Sequence, residues 1–262
     1  MSPLRLPHFI IAGAPRSATT WLYALADRHP AIAMAKPVVP EPKFFLVDEL
    51  YEHGLGLYAA TWFAALPEGR LLGEKSTNYL ESARAAERIA RDLPAVRLIF
   101  LLRDPVDRAW SNYRWSRQNG LETEGFAIAL EREVEREGTL DPTFRYARPH
   151  AYFSRGLYAD LLAAYFAHFP RTQLLVARQE DAARDPGAFA ARFHAFLGVE
   201  PRPQDAAGLG AVNAAADARP LDPALRRLLE ARYAEPNRRL AALLGSDFEI
   251  WQPRSEETAT SR

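Results

Sequence analysis

The chain has no cysteine among its 262 residues, which excludes a disulfide framework, a thiolate nucleophile and every cysteine-based metal site. Lysine is nearly as scarce. Three of the 33 basic side chains are Lys (Lys36, Lys43 and Lys75), and the remaining 30 are Arg. Net charge is absent as well, with 33 acidic side chains against the 33 basic ones. No general electrostatic pull towards nucleic acid or an acidic membrane follows, and neither is expected as a partner. No run approaches the ~18 apolar residues of a membrane span. The opening segment, broken by Pro7, lacks the length and the small-residue cleavage pattern of a secretory signal, so a cytoplasmic location is expected. The six histidines, at positions 8, 29, 53, 150, 168 and 194, show none of the usual metal-ligand spacings. They are expected mostly at surfaces and edges, with no metal site. What is present in quantity is apolar residue, 48% of the chain, enough to fill a sizeable core.

Short continuous apolar runs alternate with helical patterns. His8–Ala12 precedes a helix at Thr19–Arg28, and Arg97–Leu102 (RLIFLL) precedes a helix starting near Pro105. Gln173–Ala177 precedes a helix at Gly187–Leu197, and a weaker run, Leu71–Lys75, precedes one at Ser82–Arg91. Buried strands alternating with amphipathic helices indicate a parallel sheet covered on both faces. The expected fold is α/β, a single P-loop-like domain with a central parallel sheet flanked by helices. It is read over residues 1–262, with a core at about 8–200, a helical C-terminal part at 201–252 and a flexible tail at 253–262. Pro236 is expected to split Pro223–Leu244 into two helical pieces. The small-residue stretch Pro201–Pro220 is compatible with a loop over a site and with a plain linker.

Gly13-Ala14-Pro15-Arg16-Ser17-Ala18-Thr19-Thr20-Trp21 joins the first strand to the first helix. A turn of small residues there points several backbone N–H groups into one concavity at the positive end of a helix dipole. Thr19 and Thr20 add hydroxyl donors, and Arg16 adds a planar cation matched to phosphate or sulfate oxygens. The loop lacks the Gly-Lys-Ser/Thr ending of a Walker A motif, which counts against nucleoside-triphosphate chemistry. A tight βα turn with no ligand is the plain alternative.

A second candidate anion site follows the RLIFLL strand. Asp104 suits an N-cap and Pro105 a first helical residue. Arg103, at the strand's carboxyl end, and Ser111, nearly two turns into the helix, are placed to meet a second phosphate, because ligands of open α/β sheets bind outside the carboxyl ends of strands. The alternative is that Arg103 pairs with Asp107 and Ser111 only packs.

Together these segments resemble the sulfotransferase family that uses 3′-phosphoadenosine 5′-phosphosulfate (PAPS), above all its heparan-sulfate and bacterial small-molecule branches. The likeness continues in Glu41-Pro42-Lys43-Phe44-Phe45, Gly73-Glu74-Lys75-Ser76-Thr77-Asn78-Tyr79, Gly156-Leu157-Tyr158 and Phe196-Leu197-Gly198-Val199, with a weaker echo through Trp251. It covers roughly residues 8–200. The resemblance implies a transferase that moves a sulfuryl group to a hydroxyl or amine of a small-molecule or sugar acceptor, leaving adenosine 3′,5′-bisphosphate. By resemblance Arg16, Ser17, Ala18, Thr19, Thr20 and Trp21 grip the phosphosulfate, and Arg103 and Ser111 the 3′-phosphate. Glu41 is then the general base, Arg16 stabilises the leaving oxygen, and Lys75 serves the acceptor side or the sulfuryl oxygens without a metal. All three lysines fall around that acceptor side. Ala18 stands where the family usually has Gly, so a positive φ there would be strained. Arg16 stands where many members have Lys, and Lys43 where some have His. Phosphoryl transfer from a nucleoside triphosphate, or bisphosphate binding without catalysis, are the competing readings. Acceptor identity and oligomeric state are not legible.

Overall fold

The computed structural model describes residues 4–210, 220–245 and 248–252. Residues 211–219 of the Pro201–Pro220 stretch and all of the tail at 253–262 lie outside the described residues.

Five strands form one parallel sheet: β1 (Phe9–Gly13), β2 (Ile32–Met34), β3 (Leu71–Lys75), β4 (Arg97–Leu102) and β5 (Leu174–Arg178). Their order is β2-β3-β1-β4-β5. β3 and β4 match their apolar runs residue for residue, and β1 and β5 sit one residue further along than theirs. β2 was not expected, because three residues are too few to show a period. Alternation divides the two faces. Phe9 and Ile11, Ile99 and Leu101, and Leu175 and Ala177 share a buried cluster with Trp21, Leu22 and Leu25 of the helix Thr19–Arg28 and with Phe189 and Phe193 of the helix Pro186–Leu197. On the opposite face Phe100 meets Tyr165 edge-on, 4.8 Å between ring centres. Each large side chain so buried contributes roughly 1.5–3 kcal/mol, which makes this two-sided packing the main stabilising term.

The chain forms two compact units. The first takes in the described residues up to Arg103 and again from Leu161, and it holds the whole sheet. The second takes in Asp104–Asp160 and the described residues from Pro220 onwards. In this second unit the helix Pro105–Gln118 starts as its sequence specifies: Asp104 Oδ1 accepts the N–H groups of Val106 (2.8 Å) and Asp107 (3.1 Å), with Pro105 in the first turn. Val106, Ala109, Tyr113, Phe126, Leu130 and Tyr152 pack with Leu229 and Tyr233 of the helix Pro223–Leu244. That helix is one piece of 22 residues rather than two, with Pro236 inside it. The carbonyl four residues back belongs to Arg232, which is exposed, so water can satisfy it. Leu229, Tyr233 and Leu240 bury one stripe across the proline and hold both halves in line. Among the described residues no helix is long and apolar enough to cross a membrane.

Candidate active site

β1 leads on to β2 on one side and its neighbour β4 to β5 on the other, so the chain leaves their carboxyl ends in opposite directions, and the crevice at such a point is where open α/β sheets bind ligands. β1 ends at Gly13. A Cβ there would lie 2.7 Å from Cβ of Leu80, so only glycine lets the strand pass. The Ala14 amide donates to the Leu101 carbonyl (2.9 Å), tying the start of the loop to β4. Arg16 and Ala18 then both take left-handed backbone, at φ 69° and 57°. Alternating left-handed residues curl the loop and turn its amides inwards. The helix Thr19–Arg28 follows without a side-chain cap and with no acid in its first turn, leaving its positive end open to an anion. Ser17 is fully buried, and its hydroxyl has no hydrogen-bond partner among the described residues. An oxyanion in the concavity would satisfy that donor, so these residues fit a phosphosulfate.

Thr19 is buried and Thr20 half-buried at the mouth of the helix. Trp21 is committed elsewhere: its ring meets Phe189 edge-on at 5.8 Å and its Nε1–H donates to the Leu209 carbonyl (3.2 Å). Its ring is therefore a wedge that sets the helix on the sheet, and its backbone amide is what it offers the loop. Arg103, one residue beyond β4, turns towards the loop and donates from Nη1 to the Arg16 carbonyl (3.4 Å). Ser111 lies in the second unit, buried on the helix Pro105–Gln118.

The second feature of this sheet edge is a buried ion pair. Lys75 is the last residue of β3, opposite Ile11 of β1 in the parallel register. Its ammonium donates to Oε1 of Glu41. The Thr77 amide donates to Oε2 of Glu41 (3.1 Å), and the Thr77 hydroxyl lies 3.3 Å from both oxygens. The side chain of Lys75 is 5% exposed and that of Glu41 13%. A pair this shielded interacts strongly, while Glu41 keeps some contact with solvent. Lys36, by contrast, makes an exposed pair with Asp27 at 2.8 Å, so one of the three lysines belongs to the surface.

A layer missed by sequence reasoning lies behind this pair. Glu74 is fully buried, and neither carboxyl oxygen has a well-formed hydrogen bond. Burial pushes its pKa up to about 8, against the opposing pull of the Tyr79 and Tyr58 hydroxyls. A charged residue inside a strand of otherwise apolar character was the available signal.

Four of the six histidines are exposed or half-buried, as expected, and two are not. His29 and His194 are buried, with ring centres 4.6 Å apart. Together with Asp205 they bring ligand-type atoms within 4.8 Å of one another, a grouping that long separation in sequence hides from any spacing rule. All but one of those atoms are used by the fold; His194 Nε2 has no hydrogen-bond partner among the described residues. His29 gives Nε2–H to the Glu200 carbonyl (2.9 Å) and accepts the Ala31 amide at Nδ1 (3.1 Å). His194 accepts the Arg202 amide at Nδ1 (3.2 Å), so in the neutral ring Nε2 carries the proton, and Asp205 pairs with Arg202 at 3.2 Å.

Residues 6–207 match the family model described as a sulfotransferase domain. The chain belongs to the sulfotransferase family. It is 31% identical over 204 residues to the bifunctional heparan sulfate N-deacetylase/N-sulfotransferase 3 of Homo sapiens, covering 75% of this chain and 23% of that protein. It is 30% identical over 196 residues to the heparan sulfate glucosamine 3-O-sulfotransferase 3A1 of Mus musculus, covering 75% of this chain and 47% of that protein. This sulfotransferase-family chain therefore spans less than half the length of either relative. Among solved structures it resembles a sulfotransferase from Alicyclobacillus acidocaldarius, with a TM-score of 0.75 and 28% identity over 93% of this chain and 98% of that one.

Proposed function

We propose that this chain transfers the sulfuryl group of PAPS to a hydroxyl or amine of a carbohydrate or small-molecule acceptor. The observation that carries the reading is the pairing of two features on adjacent strands of one sheet edge. One is the uncapped loop after β1 with its unsatisfied Ser17 hydroxyl; the other is the shielded Glu41–Lys75 pair after β3.

In this reading the loop amides, Arg16, Ser17, Thr19 and Thr20 hold the phosphosulfate, and Arg103 beside them supplies charge for the 3′-phosphate. Ser111 enters on the family resemblance of Arg103–Tyr113 alone. The acceptor oxygen or nitrogen attacks sulfur in line with the bond to the departing nucleotide. Its proton passes to Glu41, the new bond to sulfur forms, and the old S–O bond breaks with its electron pair left on the 5′-phosphate oxygen. Arg16 and the helix terminus meet the charge gathering there, and Lys75 holds Glu41 in place next to the transferred group. The charge is met by side-chain cations and amides, which is the metal-independent reading. A cytoplasmic location remains part of the proposal.

Incubation with PAPS and a panel of glucosamine oligosaccharides, phenols and amines tests it. The expected result is adenosine 3′,5′-bisphosphate released one-for-one with sulfated acceptor. Metal-dependent consumption of ATP or GTP, with PAPS untouched, would replace this reading by phosphoryl transfer.

A further inference from the structure

Two residues after Glu41 the chain makes a turn that is gripped from both sides. Lys43 takes a left-handed backbone at φ 51°, which a residue with a Cβ keeps only where its surroundings hold it. Its carbonyl accepts the amides of Leu46 and Val47, both at 3.0 Å, closing a turn at 43–47. On the sheet side the Lys43 amide donates to Oγ of Ser76 (2.9 Å). Ser76 is fully buried and stands between Lys75 and Thr77, the two residues that bind the Glu41 carboxylate. On the other side is the helix Ala83–Asp92, where Arg88 is buried with Ala85, Ala86 and Ile89. Arg88 donates from Nη1 to the Phe45 carbonyl inside the turn (3.2 Å) and from Nη2 to Asp48 Oδ1 just beyond it (2.7 Å). Its guanidinium carbon lies 4.1 Å from the centre of the Tyr51 ring. A cation only 7% exposed needs such partners, and a rigid fork with two of them fixes the backbone between.

We propose that Ser76 and Arg88 are positioning residues: they clamp the turn at 43–47 between the end of β3 and the helix Ala83–Asp92, and so set where Glu41 meets Lys75 and Thr77. This rests on the reading of Glu41 as the base. Both residues act through the backbone of the segment that follows Glu41. Without Arg88 the Phe45 carbonyl loses that donor, Asp48 is left to the exposed Arg84 (2.8 Å), and the turn can rock about the Ser76 bond. Without the Ser76 oxygen the strained Lys43 loses the acceptor that holds its amide. In either case the carboxylate drifts from the alignment on which proton transfer from the acceptor depends. The loop after β1, which is read as holding the donor, takes no part in the clamp.

Three variants test the clamp: Arg88→Met, which keeps a long side chain without its donors, Ser76→Ala, and the two combined. Amide hydrogen exchange, which needs no substrate, should quicken at Leu46 and Val47 in each single variant at least tenfold more than at Ile10 and Ile99 of the sheet. With PAPS and a glucosamine oligosaccharide, kcat should fall at least tenfold in each single variant, with acceptor KM and bisphosphate affinity within threefold. The combined variant should lose less than the product of the two single losses, because both act through one turn. Exchange that quickens no more at Leu46 and Val47 than in the sheet overturns the proposal, as does a smaller loss of kcat or a pair of losses that simply multiply. Should Arg88→Met not fold, Ser76→Ala, which lacks a single oxygen, decides by the same exchange and kcat readings. A wild type that does not consume PAPS, or a Glu41→Gln variant that turns over like wild type, counts against the Glu41 reading instead, and leaves the exchange comparison to judge the clamp.

Discussion

Lys75 and Glu41, 34 residues apart in the chain, form an ion pair whose side chains are almost shielded from solvent. The last residue of an inner strand thereby holds the carboxylate of a proline-flanked loop. Replacing Glu41 by Gln keeps the shape but removes the proton acceptor, and turnover is expected to fall at least a hundredfold with donor binding within threefold. Lys75→Met leaves the carboxylate without its cation. Urea unfolding should show a loss of about 2 kcal/mol, less than for a fully buried pair because Glu41 retains solvent contact.

Ala18 carries a left-handed backbone at φ 57° where a Cβ is strained. Ala18→Gly removes about 1–2 kcal/mol of strain and gives back about 0.4–1 kcal/mol through the freer unfolded chain. The net gain should raise Tm by about 2 °C, read by calorimetry. Ala18→Val should lower it, since branching at Cβ worsens the same contact.

How far the fold could be read in advance follows from the same particulars. RLIFLL, flanked by Pro94 and the Asp104-Pro105 helix start, announces β4 because a buried parallel strand needs continuous apolar residues and a helix start needs a cap. β2 is three residues long and leaves no periodic trace. Pro236 misleads because a local rule about one lost hydrogen bond is overridden by packing of Leu229, Tyr233 and Leu240. At the site, the loop and Glu41 were legible through motif order, and positive φ at Ala18 followed from the residue type expected there. Glu74 left only the faint mark of a charge inside a strand, and the His29–His194 contact left none, because long-range proximity does not show on a single segment.

His194 should impose acid sensitivity on the fold. Its burial, aided by the neighbouring His29 ring, lowers its pKa from 6.5 to about 4. Between those values the unfolded chain binds the proton and the folded one refuses it, so stability falls as pH drops from 6.5 towards 4. The full span is worth at most about 3 kcal/mol. Urea unfolding at pH 7.5 and 4.5 should show a smaller difference in His194→Asn than in wild type; equal differences would remove His194 from the account.

Glu74 acts in the opposite sense. Its carboxyl pKa is raised to about 8, so its contribution is present at low pH and is lost as pH rises through 8. Glu74→Gln should therefore be the more stable protein at pH 8, by at least about 1 kcal/mol. Equal unfolding midpoints would mean that the carboxyl is already ionised in the fold.

Donor recognition is where the whole reading is most exposed. Isothermal calorimetry should compare adenosine 3′,5′-bisphosphate with AMP, which lacks the 3′ group, in wild type and in Arg103→Ala. The bisphosphate should bind wild type at least tenfold more tightly than AMP, and Arg103→Ala should erase most of that difference while leaving AMP affinity unchanged. Equal affinity for the two nucleotides in wild type, or an undiminished preference in Arg103→Ala, would contradict the account.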